Sequence, residues 1–222
     1  MTHQTLSFDQ IAASLQPGLA VLGGLHPEPG DTAPSGCRTL LLIGPDGAEF
    51  WQVFQASPEF SDGTPDPLNR WSERVIGALA DRLGATAHYP FGGPPHLPFI
   101  AWGERSGSAW ASPVGLLVHE SAGLFVSYRG ALALPGRIEL PATGARPCDA
   151  CERPCLDACP AGALGEGGYD VARCHGWLDA AGGRDCMSRG CAVRRACPVG
   201  WDLRPQAQSA FHMRAFHGTQ ER

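Results

Sequence analysis

The 222-residue sequence predicts an α+β fold in two parts, residues 1–140 and 141–222, on three observations. Apolar runs of strand length and amphipathic runs of helical period interleave irregularly through the first part. A turn at Ser121-Ala122-Gly123 lies between two apolar runs and reads as a hairpin, which precludes an all-parallel sheet and leaves a mixed or antiparallel one. Eight of the nine cysteines fall between Cys148 and Cys197, in a turn-rich segment too short to fold on apolar burial alone.

Taken in order, Ser7 with Gln10 three residues on forms a capping box, and Phe8, Ile11, Ala12 and Leu15 keep helical spacing until Pro17-Gly18. Residues 19–25 and 38–44 are apolar runs bounded by turn residues and read as buried strands. Residues 48–56 fit strand or helix by pattern; Phe50, Trp51 and Phe54 suit a helix packed on the sheet, so helix is the reading adopted. Asp66 at the cap, Pro67 in the first turn, and Leu68, Trp71, Val75, Ile76, Leu79 and Leu83 predict the best-formed helix, stopped by Gly84. A short strand at 85–89, a Pro-rich loop at 90–98, a helix at 99–105 and hairpin strands at 114–119 and 124–134 complete the first part. Residues 140–147 read as a linker, and 206–217 as a closing helix that covers a metal cluster or the junction of the two parts.

All 17 basic residues are arginine and the formal charge is −5. Without lysine there is no Walker A loop and no Schiff-base lysine, and the mild acidity argues against a nucleic-acid surface. Met1-Thr2-His3-Gln4-Thr5 lacks the basic flank and apolar core of a secretory signal, and no stretch has eighteen uninterrupted apolar residues. The expectation is a soluble, cytoplasmic chain with no membrane partner. Its 29 Gly and 20 Pro follow no repeat and read as tight turns.

The cysteines carry the chemistry. The run Cys148-Asp149-Ala150-Cys151-Glu152-Arg153-Pro154-Cys155-Leu156-Asp157-Ala158-Cys159-Pro160 follows the bacterial form C-x2-C-x2-C-x3-C-P, with three residues in the middle gap in place of two. In that form three thiolates hold one cluster and the fourth reaches a second. Cys197-Pro198 closes the region, with Cys174, Cys186 and Cys191 between. Each cubane iron needs a soft, deprotonated ligand, so eight thiolates satisfy two 4Fe-4S clusters. The interleaved rule assigns Cys148, Cys151, Cys155 and Cys197 to one and Cys159, Cys174, Cys186 and Cys191 to the other. A reducing compartment suits such ligands. Four-cysteine zinc sites also use C-x2-C knuckles but do not account for two cysteine-proline endings.

Around these ligands, Arg184, Arg189, Arg194 and Arg195 are offset by seven carboxylates between Cys148 and Cys197, and read as solvated surface before a docking face for an acidic electron donor. His175, beside Cys174, is placed to hydrogen-bond a cluster sulfide. Cys37 stands apart as a small buried residue. Two functions follow: an electron carrier serving a redox partner protein, or an oxidoreductase whose clusters feed a cofactor or small-molecule substrate held in the first part. A zinc-stabilised interaction module is the third.

Five stretches also carry a family resemblance: Cys148 to Leu164, Arg173-Cys174, Gly190-Cys191 with Cys197-Pro198, and, upstream, residues 112–119 and 123–130. On these the chain resembles the C-terminal half of epoxyqueuosine reductase and related corrinoid-dependent reductive dehalogenases, with a similar Gly, His and aromatic pattern in the cobalamin-processing protein of vitamin B12 trafficking. The resemblance covers roughly the last half of the chain. It implies a nitroreductase-like domain over 1–140, a two-cluster ferredoxin-like domain over 141–222, and a cobalamin or flavin whose rim takes in His119, Tyr128, Arg129 and the 89–99 loop. The plainer reading has His119 capping the turn, Tyr128 half-buried in a strand and Arg129 paired with a surface carboxylate. Two departures stand out. The family's catalytic aspartate has no counterpart in 89–102, and its last C-x2-C-x3-C-P motif is replaced by a direct run from Cys191 to Cys197, so that Cys186 supplies the missing ligand.

Overall fold

In the computed structural model, which describes residues 6–165 and 167–218, the first helix begins where the spacing places it. Gln10 N–H donates to Ser7 Oγ at 3.2 Å and Ser7 N–H to Gln10 Oε1 at 2.9 Å, closing the capping box of α1 (Phe8–Ala13). There follow β1 (Leu19–Leu25), β2 (Thr39–Pro45), α2 (Glu49–Gln55), α3 (Pro58–Ser61), α4 (Pro67–Leu83), β3 (Thr86–His88), α5 (Phe99–Arg105), β4 (Ala109–Ala111), β5 (Leu117–His119) and β6 (Gly130–Leu134). The remaining elements are β7 (Leu164–Gly165), β8 (Gly168–Tyr169), α6 (Val171–Asp179), α7 (Arg184–Arg189), α8 (Ala192–Arg195) and α9 (Gln206–Gly218). Among the described residues no helix is long and apolar enough to cross a membrane.

The chain divides into two units. The first takes the described residues up to Ala109 together with Ser127–Gly144; the second takes Trp110–Val126 and the described residues from Ala145 onward. The chain therefore crosses between the units three times, after Ala109, Val126 and Gly144. Seventeen residues expected in the first part, 110–126, belong to the cysteine unit.

In the first unit the strands run in the order β1-β2-β6-β3, every adjacent pair antiparallel. The interior strands β2 and β6 are apolar on both faces because both faces are covered, and Leu40 to Ile43 are fully buried. α4 packs against β3 and β6. Its Trp71 meets Phe50 and Phe54 of α2 edge-on at 5.5 and 6.0 Å. Helix was thus the better reading of 48–56. Asp66 sits at the start of α4 but in the left-handed region (φ 53°), without a side-chain cap bond; Pro67, with φ already helical, begins the helix.

The expected hairpin of 114–119 with 124–134 does not form. β5 pairs with β4, while β6 pairs with β2 and β3 in the other unit. His119 and Gly123 exchange backbone hydrogen bonds at 3.0 Å, closing a tight turn, after which Leu124, Phe125 and Val126 are buried without joining a strand. One apolar run thus serves two cores, which strand periodicity by itself does not reveal.

Among the described residues the second unit has four α-helices and only short strands. Its core joins Val114, Val118, Leu124, Leu164 and Val193 to Cys148, Cys155 and Cys197. α9, expected as a closing helix, packs on α7.

Candidate metal centre

The eight clustered cysteines line two cavities, four to each, both within the second unit. Cys148, Cys151, Cys155 and Cys197 face the first. Cys159, Cys174, Cys186 and Cys191 face the second. These are the two sets that the interleaved rule assigns.

Local structure explains the sorting. Cys148 occupies a single 3-10 turn, Pro147–Ala150, after which Arg153 adopts a left-handed conformation (φ 59°) that turns the three-residue gap back on itself. The Arg153 N–H then donates to Cys151 Sγ at 3.3 Å. Four residues beyond Cys155, Cys159 has crossed to the second cavity, where its Sγ accepts from Ala163 N–H at 3.2 Å. α6 brings Cys174; Asp170 caps this helix by accepting from Arg173 N–H at 2.9 Å. α7 brings Cys186, and Cys191 stands at the head of α8.

Cys197 reaches the first cavity through a close approach of two backbone segments. A Cβ on Gly123 (φ +54°) would lie 2.0 Å from the Val199 oxygen and 3.0 Å from Cys197 Sγ, and one on Gly200 (φ +67°) would lie 2.6 Å from Ala122 carbonyl carbon. Only glycine allows these contacts. Two arginines hold the facing loop: Arg194 donates to the Leu124 carbonyl, and Arg204 donates to the Phe125 carbonyl at 2.6 Å while lying over its ring.

The donor set is soft throughout. No carboxylate lines either cavity among the described residues, so neither suits a hard cation that takes oxygen ligands. Burial pushes the thiols of Cys148, Cys155, Cys174 and Cys186 up, so each favours its proton until a cation supplies compensating charge. Among the described residues no three or more Cys, His, Asp or Glu stand together as they would around a metal ion. Each cavity is also lined by one residue with a buried polar atom that has no hydrogen-bond partner, Ser112 (Oγ) at the first and Trp177 (Nε1) at the second.

Other candidates are engaged elsewhere. His175, expected at a cluster sulfide, is buried with Nδ1 2.9 Å from His217 Nδ1, and His217 Nε2 lies 2.8 Å from Asp179 Oδ1. This chain ties α6 to α9. The four arginines are not one solvated face: Arg194 is turned inward, Arg189 and Arg195 both pair with Asp185, and Arg184 is exposed.

The expected cofactor rim divides between the units. His119 belongs to the second, where its Nδ1 accepts from the N–H groups of Ser121 and Ala122, each at 3.2 Å; it caps the turn. Tyr128 and Arg129 belong to the first. Tyr128 precedes β6 and packs on Phe99, with burial pushing its phenol up. Arg129 meets neutral oxygens in place of the expected carboxylate, donating to Ser72 Oγ at 3.0 Å and Asn69 Oδ1 at 2.7 Å, and lies over the Phe91 ring. Burial lowers it to about 10. Cys37, half-buried just before β2, faces neither cavity.

Sequence reasoning missed α6, Ser112 and Trp177. A signal for α6 was present in the Asp170 cap and in Val171, Cys174 and Leu178 at helical spacing. No local signal marks the unpaired atoms, which depend on what the fold places around them. No protein-family model, curated protein or solved structure matches the chain.

Proposed function

We propose that this chain is an iron-sulfur redox protein that binds two 4Fe-4S clusters and passes electrons to a redox partner protein. The observation that carries this reading is the division of eight cysteines into two four-cysteine cavities along the interleaved pairing. Bound there, a cubane accepts and releases one electron at a potential tuned by hydrogen bonds and solvent exposure. The thiolates would supply the ligands, and the N–H groups of Arg153 and Ala163 already donate to two of them. Leu164 and Val193 line the second cavity and share an apolar core with the cysteines of the first, which supports a short, dry path between the two. The family resemblance supports a nitroreductase-like reading of the sheet unit and a two-cluster ferredoxin-like reading of the cysteine unit. The turn-capping role of His119 and the absence of aspartate from 89–102 favour a carrier over a corrinoid-dependent reductase.

Anaerobic reconstitution tests the reading. The expected product contains about eight irons and eight sulfides per chain and has a broad visible absorbance that bleaches on reduction. Colourless, iron-free protein, or protein holding zinc alone, overturns it. Cys155→Ala should remove the first cluster and about half the iron; equal loss from both sites overturns the pairing. Cobalamin should leave the reconstituted spectrum unchanged. Its reduction through the clusters would replace the carrier by a corrinoid-dependent oxidoreductase.

A further inference from the structure

We propose that Ser112 and Trp177 are the hydrogen-bond donors that raise the potentials of the two clusters, Ser112 Oγ–H for the first and Trp177 Nε1–H for the second. The inference rests on the two-cluster reading and adds to it two residues that are not ligands.

Ser112 is 7% exposed and its hydroxyl is buried without a partner. Its backbone is already committed: the N–H donates to Leu116 O at 2.8 Å, and the carbonyl accepts from Gly115 N–H at 3.0 Å. The turn that leads into β5 thus fixes the residue and leaves only the side chain over. Around it the first cavity is lined by Val118, Leu124, Arg153, Pro154 and Pro198 besides the cysteines, so the sulfurs of a bound cluster are the acceptors that would complete the hydroxyl.

Trp177 repeats the arrangement with different chemistry. It lies three residues after Cys174 on α6, on the same helical face. Its ring packs on Gly182, where a Cβ would come within 2.6 Å of the ring carbons, so the indole has little freedom to turn. Nε1 is buried without a partner, and the second cavity is otherwise lined by apolar side chains, the Met213 thioether and cysteine sulfur. An indole N–H donates and never accepts.

Buried donors without partners are rare in native structures. Here one residue lining each cavity has such an atom, and the sulfurs lining the same cavity would carry negative charge with metal bound. Reduction adds one more negative charge, so a donor stabilises the reduced form more than the oxidised form and the potential rises.

Redox titration of the reconstituted full-length chain, followed by EPR, tests the proposal on Ser112→Ala and Trp177→Phe. Each variant should lower the midpoint of its own cluster by about 59 mV, a tenfold change in a one-electron equilibrium, with the other cluster unmoved and the iron content intact. Ser112→Thr, which keeps the hydroxyl, should stay near the unaltered protein. Pulsed EPR after deuterium exchange should show one coupled deuteron fewer at the reduced first cluster of Ser112→Ala, a readout that does not depend on Trp177→Phe assembling. Fully loaded variants with unmoved potentials and unchanged deuteron couplings overturn the donor roles and leave the clusters standing. An iron-free parent chain overturns both.

Discussion

In the sheet unit Leu40, Leu41, Leu42 and Ile43 are fully buried within a strand paired on both sides, and Trp71 closes over Phe50 and Phe54. In the cysteine unit the strands β7 and β8 have two residues each, and three of the eight buried residues in the core are cysteines. The first unit assembles an apolar interior from groups that need no partner outside the chain. On the proposed reading the second uses as core the groups that would bind metal, so its interior would be completed by what they hold. One chain would then contain a part stable by itself and a part whose order follows from loading.

Metal removal should separate the units most sharply. Chelation of the reconstituted protein is expected to abolish amide-exchange protection across 145–197 while β2 and β6 keep theirs. Simultaneous loss in both units would show that the sheet unit also depends on the clusters. Phe54→Ala tests the converse. Phe54 is fully buried beneath Trp71 and Phe60, and its truncation should cost about 3–5 kcal/mol in the denaturation of the sheet unit, with iron per folded chain unchanged.

The smallest effect is an electrostatic one confined to the sheet unit. Arg74 Nη2 donates to Glu59 Oε2 at 3.0 Å, and this bond holds the Glu59 carboxyl at about 2, below its ordinary 4.5. Because the folded value is the lower one, the contribution is fully present above pH 4.5 and is lost as pH falls towards 2. The Glu59 side chain is 9% exposed but that of Arg74 is 54% exposed, so solvent screening limits the pair to about 1 kcal/mol. Glu59→Gln should flatten this part of the pH dependence, measured as urea midpoints from the amide signals of β2 and α4. An unchanged slope would remove the ion pair from the account of this unit.

Legibility in the sequence also divides along the chain. The bounds of β1 and α5 agree with the sequence pattern to the residue, because turn residues flank both runs and the period within each is clear. Residues 124–134 misled because a mostly apolar stretch says that it is buried and not against what. Leu124 lines the first cavity, while Leu132 pairs with Leu41 and Ala87 in the sheet. At the candidate centre the grouping of the cysteines into two sets of four was legible from spacing, since motif and order along the chain constrain which of them meet. His175 was misassigned because proximity in sequence to Cys174 does not set the direction of a side chain, and His217, 42 residues away, does.

The order and spacing of cysteines, prolines and apolar runs by themselves determined an α+β chain with eight thiolates arranged for two groups of four, since these properties are local or combinatorial. Tertiary structure decided the rest. It moved 110–126 into the cysteine unit, made His119 a turn cap, and buried Ser112 Oγ and Trp177 Nε1, unpartnered, on residues that line the two cavities. Burial and the presence of a hydrogen-bond partner depend on all that packs around an atom, and segments far apart in the chain supply those neighbours.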